Sequence, residues 1–332
     1  MLNPTLKLNP KMFDQDCEQT PIRKGFGIGL LQAGKEDDNV VALCADLTES
    51  TQMNLFAEKF PKRFIEIGVA EQNLVTVASG MSAIGKIPFC SSYAVFSPGR
   101  NWEQIRTTIT YNDRKVVIVG SHAGISVGPD GGTHQATEDI ALMRVLPNME
   151  VLSPCDALEA KRATLATAKT KTPAYLRLAR EKTPIITTEE TPFEIGKAQM
   201  FWLPEDGTAD IGVIATGALL HKALCVAKEL ESENIKIKVM NLASIKPLDT
   251  EAIILLAKET GAIVTVEEHQ IIGGMGSAVA EVLAQNLPTP IEFVGIHDKF
   301  GQSGSPDELM EHYGMGIIST KEAVRKVLKR KA

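Results

Sequence analysis

The chain has 332 residues, of which 44% are hydrophobic and 23% charged, and a formal net charge of −6. That length accommodates two ordinary domains, and the composition is that of a soluble globular protein. No apolar run reaches the roughly 18 residues a membrane-spanning helix needs, which excludes a membrane protein of that kind. With no basic cluster beyond the RKVLKRK stretch at 325–331, nucleic-acid binding lacks electrostatic support.

Residues 1–19 carry acids and prolines where a signal peptide would be basic and then apolar; they read as an N-terminal arm that packs on something else, in a cytoplasmic protein. From residue 20 to 185, apolar β-branched runs of strand length recur: VVALCA (40–45), RFIEIG (63–68), IPFCSS (87–92), KVVIVG (115–120), MEVLSP (149–154) and PAYLRL (173–178). Amphipathic helical patterns such as EQNLVTVASGMSAIG, NWEQIRTTITYN and DALEAKRATLATAK separate them. At 186–205 threonine, proline and glutamate replace that rhythm, predicting a linker and a lead-in strand. Residues 206–332 resume it with the strands ADIGVIAT, IKIKVMNL, GAIVTVEE and PIEFVGI. Val324, Val327 and Leu328 predict a last amphipathic helix. Strands apolar on both faces, alternating with helices, predict an α/β fold of two domains, each a mostly parallel sheet covered by helices. Five cysteines, an odd number with no C-x-x-C pair, predict buried thiols rather than metal or redox chemistry.

Ligands of parallel sheets sit at the loops after the strands' carboxyl ends. In the first unit those loops are ADLTEST, GVAEQN, SSYAVFSPGR, SHAGISVGPDGGTHQ and LAREK, dense in charged and imidazole groups for a chain so poor in histidine. Glu71 of GVAEQN falls in the first turn of an apolar helix, where position alone favours simple capping. The fourth loop holds two histidines, an aspartate and four glycines, so its backbone could approach a ligand closely. For Arg180 and Arg23 the plain alternative is a surface ion pair, for example Arg180 with Glu181. Tyr93 and Phe96 could equally be core packing.

The run IEIGVAEQNLVTVASGMSAIGKIPFCSSYAVF, then WEQIR, then SHAGISVGPDGGTHQATEDIALMRVLPNMEVLSPCD, resembles the pyrimidine-binding domain of transketolases. KVMNLASIKPLD, VTVEEHQIIGGMGSAVAE and FGQSGSPDELMEHYG resemble the C-terminal domain of that family. The resemblance implies a thiamin diphosphate site. In it Glu71 would bond the far ring nitrogen of the aminopyrimidine, kept protonated by burial. Tyr93 and Phe96 would hold that ring, and Asp46 would line the cofactor pocket. Arg23, Ser50, His122 and Arg180 would bind a sugar phosphate, for which arginine's planar fork is suited. Asp130 and His134 would contact the sugar's hydroxyls and reacting carbonyl oxygen, with His134 handling protons. The stretch SSYAVFSPGR departs from the family pattern: Tyr93 replaces the commoner Phe, and one extra residue precedes Arg100.

The family's diphosphate-binding G-D-G…N motif is missing. The resemblance therefore implies a split enzyme, in which a separate N-terminal subunit binds the diphosphate and most of the Mg2+ (or Ca2+). A two-plus-two heterotetramer transferring a two-carbon ketol unit between sugar phosphates follows. The run 273–276 could hold a phosphate at a helix N-terminus, although tight packing is the favoured use, and a structural role is preferred for Glu267, Glu268 and His269. Rivals are the β subunit of a 2-oxoacid dehydrogenase, part of a deoxyxylulose-phosphate synthase, and a non-catalytic partner that keeps the fold.

Overall fold

A strand apolar on both faces must be covered on both. In the computed structural model, which describes residues 1–331, the strands do lie between helices. In chain order the strands are β1 (Gln19–Pro21), β2 (Val40–Cys44), β3 (Phe64–Glu66), β4 (Ile87–Tyr93), β5 (Val117–Ser121), β6 (Glu150–Leu152) and β7 (Ala174–Arg177). They continue with β8 (Lys182–Pro184), β9 (Gln199–Trp202), β10 (Ile211–Ala215), β11 (Ile237–Asn241), β12 (Ser244–Lys246), β13 (Ile263–Gln270) and β14 (Ile291–Ile296). The helices are α1 (Ile22–Glu36), α2 (Asn54–Lys59), α3 (Glu71–Ala83), α4 (Trp102–Gln104), α5 (Asp139–Arg144) and α6 (Ala157–Lys169). Then follow α7 (Leu220–Glu231), α8 (Thr250–Thr260), α9 (Met275–Asn286), α10 (Pro306–His312) and α11 (Ile317–Leu328).

A seven-stranded sheet runs β12-β6-β7-β5-β4-β2-β3 and a five-stranded one β14-β13-β10-β11-β9. Within these two sheets every pairing is parallel except β12 with β6 and β9 with β11, and β1 and β8 form a separate antiparallel pair. Each residue of β2, β5, β7, β10 and β11 is buried. The expected architecture of two mostly parallel, helix-covered sheets is the observed one. Among the described residues, no helix is long and apolar enough to cross a membrane.

Three features depart from the expectation. First, β12, from the second half of the chain, leaves β11 and pairs with β6, closing the exposed edge of the first sheet. Three residues are too few to show a period. Second, NWEQIRTTITYN is only briefly α-helical; Ile105–Thr110 forms a wider π-turn. Thr107, Thr108 and Thr110 hydroxyls bond back to the carbonyls of Glu103, Gln104 and Arg106, a pattern that loosens a helix locally. Third, the N-terminal arm packs on this chain's own second domain. Leu2 bridges Trp202, the Asn3 N–H bonds the Phe201 carbonyl, and Leu8 and Met12 are buried in that domain's core. Cys44, Cys90 and Cys155 are buried as expected, whereas Cys17 and Cys225 are only partly covered.

Two helices set the back of the first domain. Asp156 caps α6 through the Glu159 N–H and also accepts from the Ile186 and Thr187 N–H groups, tying the linker to the helix. Across from it, a Cβ at Gly25 of α1 would lie 1.7 Å from the Ala157 carbonyl oxygen, so α1 can sit this close only without a side chain. Gly25→Ala is therefore expected to destabilise the chain by about 1–3 kcal/mol or more through forced separation of α1 and α6. Denaturant unfolding measures this, and an unchanged midpoint would mean the helices repack freely.

Candidate active site

Because β2, β4, β5 and β7 run parallel, their carboxyl ends share one rim. Tyr93 closes β4 opposite Ser121, which closes β5. His122 follows immediately with φ of 56°, a left-handed backbone that turns its ring back over the strand ends. Its imidazole stacks on Tyr93, centroids 3.9 Å apart. Phe96 lies 6.1 Å from Tyr93 with rings nearly parallel, and His134 meets Phe96 edge-on at 5.5 Å. Tyr93, Phe96, His122 and His134 thus form one aromatic cluster.

Arg23, in the first turn of α1, places Nη1 2.8 Å from His122 Nε2. A guanidinium can only donate, so Nε2 accepts, and the ring proton sits on Nδ1, which donates to Ser121 Oγ at 2.9 Å. Burial, then the charges of Arg23 and Arg180 and the nearby His134, push the His122 pKa down to about 3. His122 is thus neutral, with both nitrogens committed. In this arrangement Nε2 faces Arg23 and Nδ1 faces the Ser121 hydroxyl. Burial and then the like charge of Arg180 lower the Arg23 pKa, and Arg23 Nε is buried without a partner. Two guanidiniums therefore lie close enough to repel each other, and one of them keeps a buried donor without a partner. Arg180 donates from Nη1 to the Val127 carbonyl and, at 3.3 Å, to Asp130 Oδ1. Its Nε also lies 3.6 Å from Glu181, so the plain ion pair coexists with the clamp.

Glu71 opens α3, as expected, and is buried. Its Oε2 accepts from Arg100 Nη1 at 2.9 Å, and its carbonyl accepts from Asn101 Nδ2 at 2.8 Å. Arg100 also lies over the Phe96 ring, 4.8 Å from its centroid. Neither Arg100 nor Asn101 was foreseen as a partner of Glu71; their place in the lengthened aromatic loop was the available signal. Glu71 Oε1 makes no hydrogen bond among the described residues, and Glu71 lines an open concavity of about 410 Å3 with Val69, Asn73 and Gln104. Asp46 and Ser50 lie on the same rim in the loop after β2, but their side chains make no hydrogen bond to the cluster. The Asp46 N–H is held by Glu66 Oε1. A separate cleft of about 340 Å3, lined by Lys182, His221, Cys225 and Met310, contains none of the candidate residues.

The glycines of the 121–135 loop serve a different end from the one expected. A Cβ at Gly124 would strike Glu268, at Gly131 Ser303, and at Gly132 the Gly301 carbonyl. They let the loop press on the second domain rather than on ligand space. The 273–276 run is likewise filled from within: Glu267 accepts from the Met275 and Gly276 N–H groups at the start of α9. This is the anion position of a helix N-terminus, so no phosphate is needed there. His269 Nδ1 faces the Gln270 carbonyl. No group of three metal-ligating side chains occurs among the described residues. The groups present suit an aminopyrimidine, through a buried carboxylate joined by Arg100 to the aromatic cluster, and an anionic sugar.

The fold is thus a two-domain α/β subunit whose polar and aromatic groups gather on one rim. The transketolase pyrimidine-binding domain family matches residues 18–185, and the transketolase C-terminal domain family matches residues 202–317. The chain is 44% identical over 312 residues to a "transketolase C-terminal section" of Methanocaldococcus jannaschii, covering 93% of this chain and 96% of that protein. It is 38% identical over 319 residues to a 6-deoxy-6-sulfo-D-fructose transketolase subunit of Clostridium sp. (strain MSTE9), covering 96% and 98%. A solved split-gene transketolase, described as an inactive beta4 tetramer, matches with a TM-score of 0.87 at 43% identity, over 94% of this chain and 99% of that one. The chain belongs to the transketolase family and corresponds to the C-terminal section of such an enzyme. The dehydrogenase-subunit alternative is not favoured.

The committed nitrogens of His122 predict that its ring does not titrate between about pH 5 and 8. Its contribution to stability is full above its ordinary value of 6.5 and is lost as pH falls from there towards about 3. NMR titration of the ring checks this; an inflection near 6.5 would mean a solvated imidazole.

Proposed function

We propose that this chain, with a separate diphosphate-binding subunit, transfers a two-carbon ketol unit from a ketose phosphate to an aldose phosphate. The observation that carries the reading is the convergence of Arg23 and Arg180 around a neutral His122, at one end of the Tyr93–Phe96 slot. Two guanidiniums close enough to repel each other, beside a flat apolar pair of rings, suit a phosphorylated sugar next to an aromatic coenzyme. When bound, thiamin diphosphate supplies the carbon nucleophile that carries the two-carbon unit. Glu71 offers Oε1 to the aminopyrimidine ring, Tyr93 and Phe96 hold the ring's faces, and Asp46 lines the pocket. Arg23, Arg180 and Ser50 bind the phosphate end, and Asp130 contacts sugar hydroxyls. His134, edge-on to Phe96, moves a proton at the sugar carbonyl oxygen.

In this reading Mg2+ (or Ca2+) belongs mainly to the partner subunit, and two copies of each chain form a cytoplasmic heterotetramer. The inactive tetramer formed by the related split-gene protein supports a chain that self-associates yet needs its partner for turnover.

The test is ketol transfer from xylulose 5-phosphate to ribose 5-phosphate, with each subunit alone and with both mixed with thiamin diphosphate and magnesium. Turnover is expected only in the mixture. Glu71→Ala should lower it by about 10²–10⁴-fold. Arg180→Ala should raise KM about tenfold or more with a smaller change in kcat, as loss of a charged hydrogen bond to bound substrate requires. Turnover by this chain alone, or decarboxylation of a 2-oxoacid with no ketol transfer, would refute the reading.

A further inference from the structure

The second domain contributes no side chain to the cluster described above, yet one of its carboxylates reaches directly beneath it. Glu268, in β13, is buried, and its Oε1 accepts the Ser126 N–H at 2.7 Å. The next residue, Val127, gives its carbonyl to Arg180 Nη1. Only two backbone residues thus separate a second-domain carboxylate from the guanidinium assigned to the sugar phosphate. Gly124, with φ of 85°, makes the approach possible, because a Cβ there would lie 2.2 Å from Glu268 Oε1.

Other contacts hold the same loop from the same side. Gln135 Nε2 bonds the Ile125 and Gln302 carbonyls at 3.1 and 3.0 Å, linking the loop to residues 297–305 of the second domain. The Glu268 carbonyl accepts from Arg177 Nη2, which fixes β13 against β7. Burial raises the Glu268 pKa, opposed by the Arg177 charge and by the Ser126 N–H and hydroxyl beside it, although neither Glu268 Oε2 nor Ser126 Oγ makes a well-aligned hydrogen bond. A carboxylate kept in such a place, with one oxygen unsatisfied, is poor packing for stability alone. What it does in this structure is hold the loop through the Ser126 N–H.

We propose that Glu268 is a positioning residue: through the Ser126–Val127 backbone it sets the place of Arg180, so that the C-terminal domain tunes affinity for the phosphate end of the substrate. This rests on the function proposed above. A carboxylate without this role would leave phosphate recognition unchanged when removed.

The experiment compares Glu268→Ala with Glu268→Gln in the reconstituted two-subunit enzyme, using a phosphorylated ketose donor and a non-phosphorylated one. Glutamine keeps the acceptor for the Ser126 N–H and turns the unpartnered oxygen into a donor. Alanine leaves that N–H buried and unbonded, which is expected to raise KM for the phosphorylated donor roughly tenfold. KM for the non-phosphorylated donor should stay near wild type, and Glu268→Gln should restore the phosphorylated-donor KM. Equal KM changes for both donors, or a loss confined to kcat, would overturn the proposal. Amide exchange at Ser126, read on the chain without substrate, separates this from failure of the functional reading. Faster exchange in Glu268→Ala but not Glu268→Gln is expected even if sugar phosphates prove not to be substrates, and unchanged exchange in Glu268→Ala would overturn the mechanical link.

Discussion

Arg177 and Asp139 form an ion pair almost without solvent, Nε to Oδ2 at 2.8 Å and Nη2 to Oδ1 at 3.2 Å, and the remaining structure is arranged around satisfying it. Tyr175 donates to the same Asp139 oxygen, and Arg177 gives its other bond to the Glu268 carbonyl. Breaking one side of such a buried pair typically costs about 3–5 kcal/mol, because the remaining charge has nowhere to go. The pair joins three segments. Arg177 ends β7, three residues before Arg180. Asp139 begins α5, directly after the loop that carries His122 and His134. Glu268 belongs to the second domain. The junction therefore fixes the clamp arginine, the histidine loop and the domain orientation at one point.

From that point the electrostatics of the rim follow. Arg23 and Arg180 approach closely enough to oppose each other, and the His122 ring accepts from Arg23 while remaining uncharged. His122 does this through the tautomer that Ser121 enforces. A charged imidazole there would add a third cation to the two guanidiniums and find no acceptor for its second proton. Elsewhere the same economy works in reverse. The start of α9 attracts an anion, and Glu267 already occupies it, which removes the glycine run from consideration as a ligand site.

The strands were legible because fully buried runs such as VVALC and IGVIA contain nothing but apolar residues and glycine, and alternate with helix-length amphipathic segments. β12 was not, since three residues carry no period and its pairing partner lies about ninety positions earlier. The same limit applies to the site. The loops could be found from strand ends, and the resemblance supplied residue types, but contacts such as Arg23 with His122, 99 residues apart, belong to the fold alone. The glycine-rich loop shows how composition can mislead. Its glycines do permit close approach, as their chemistry dictates, but the surface approached is Glu268 and residues 301–303. Arg100 was visible in the aromatic loop, yet nothing in its sequence position tied it to Glu71.

The Glu71–Arg100 pair resolves a conflict that any split site must face. A carboxylate buried at the contact proposed for the coenzyme would be an uncompensated charge if nothing offset its loss of water. Arg100 compensates one oxygen and leaves the other without a hydrogen bond among the described residues. Because the Arg100 side chain is 52% exposed, releasing it returns its charge to water rather than to a low-dielectric interior. The exchange is thus far less costly than breaking a pair like Arg177–Asp139. Val69, 71% exposed beside the same concavity, marks the surface as complete for folding yet incomplete as a site. The partner of Glu71 in this chain is thus a half-exposed cation at the edge and not a second buried group.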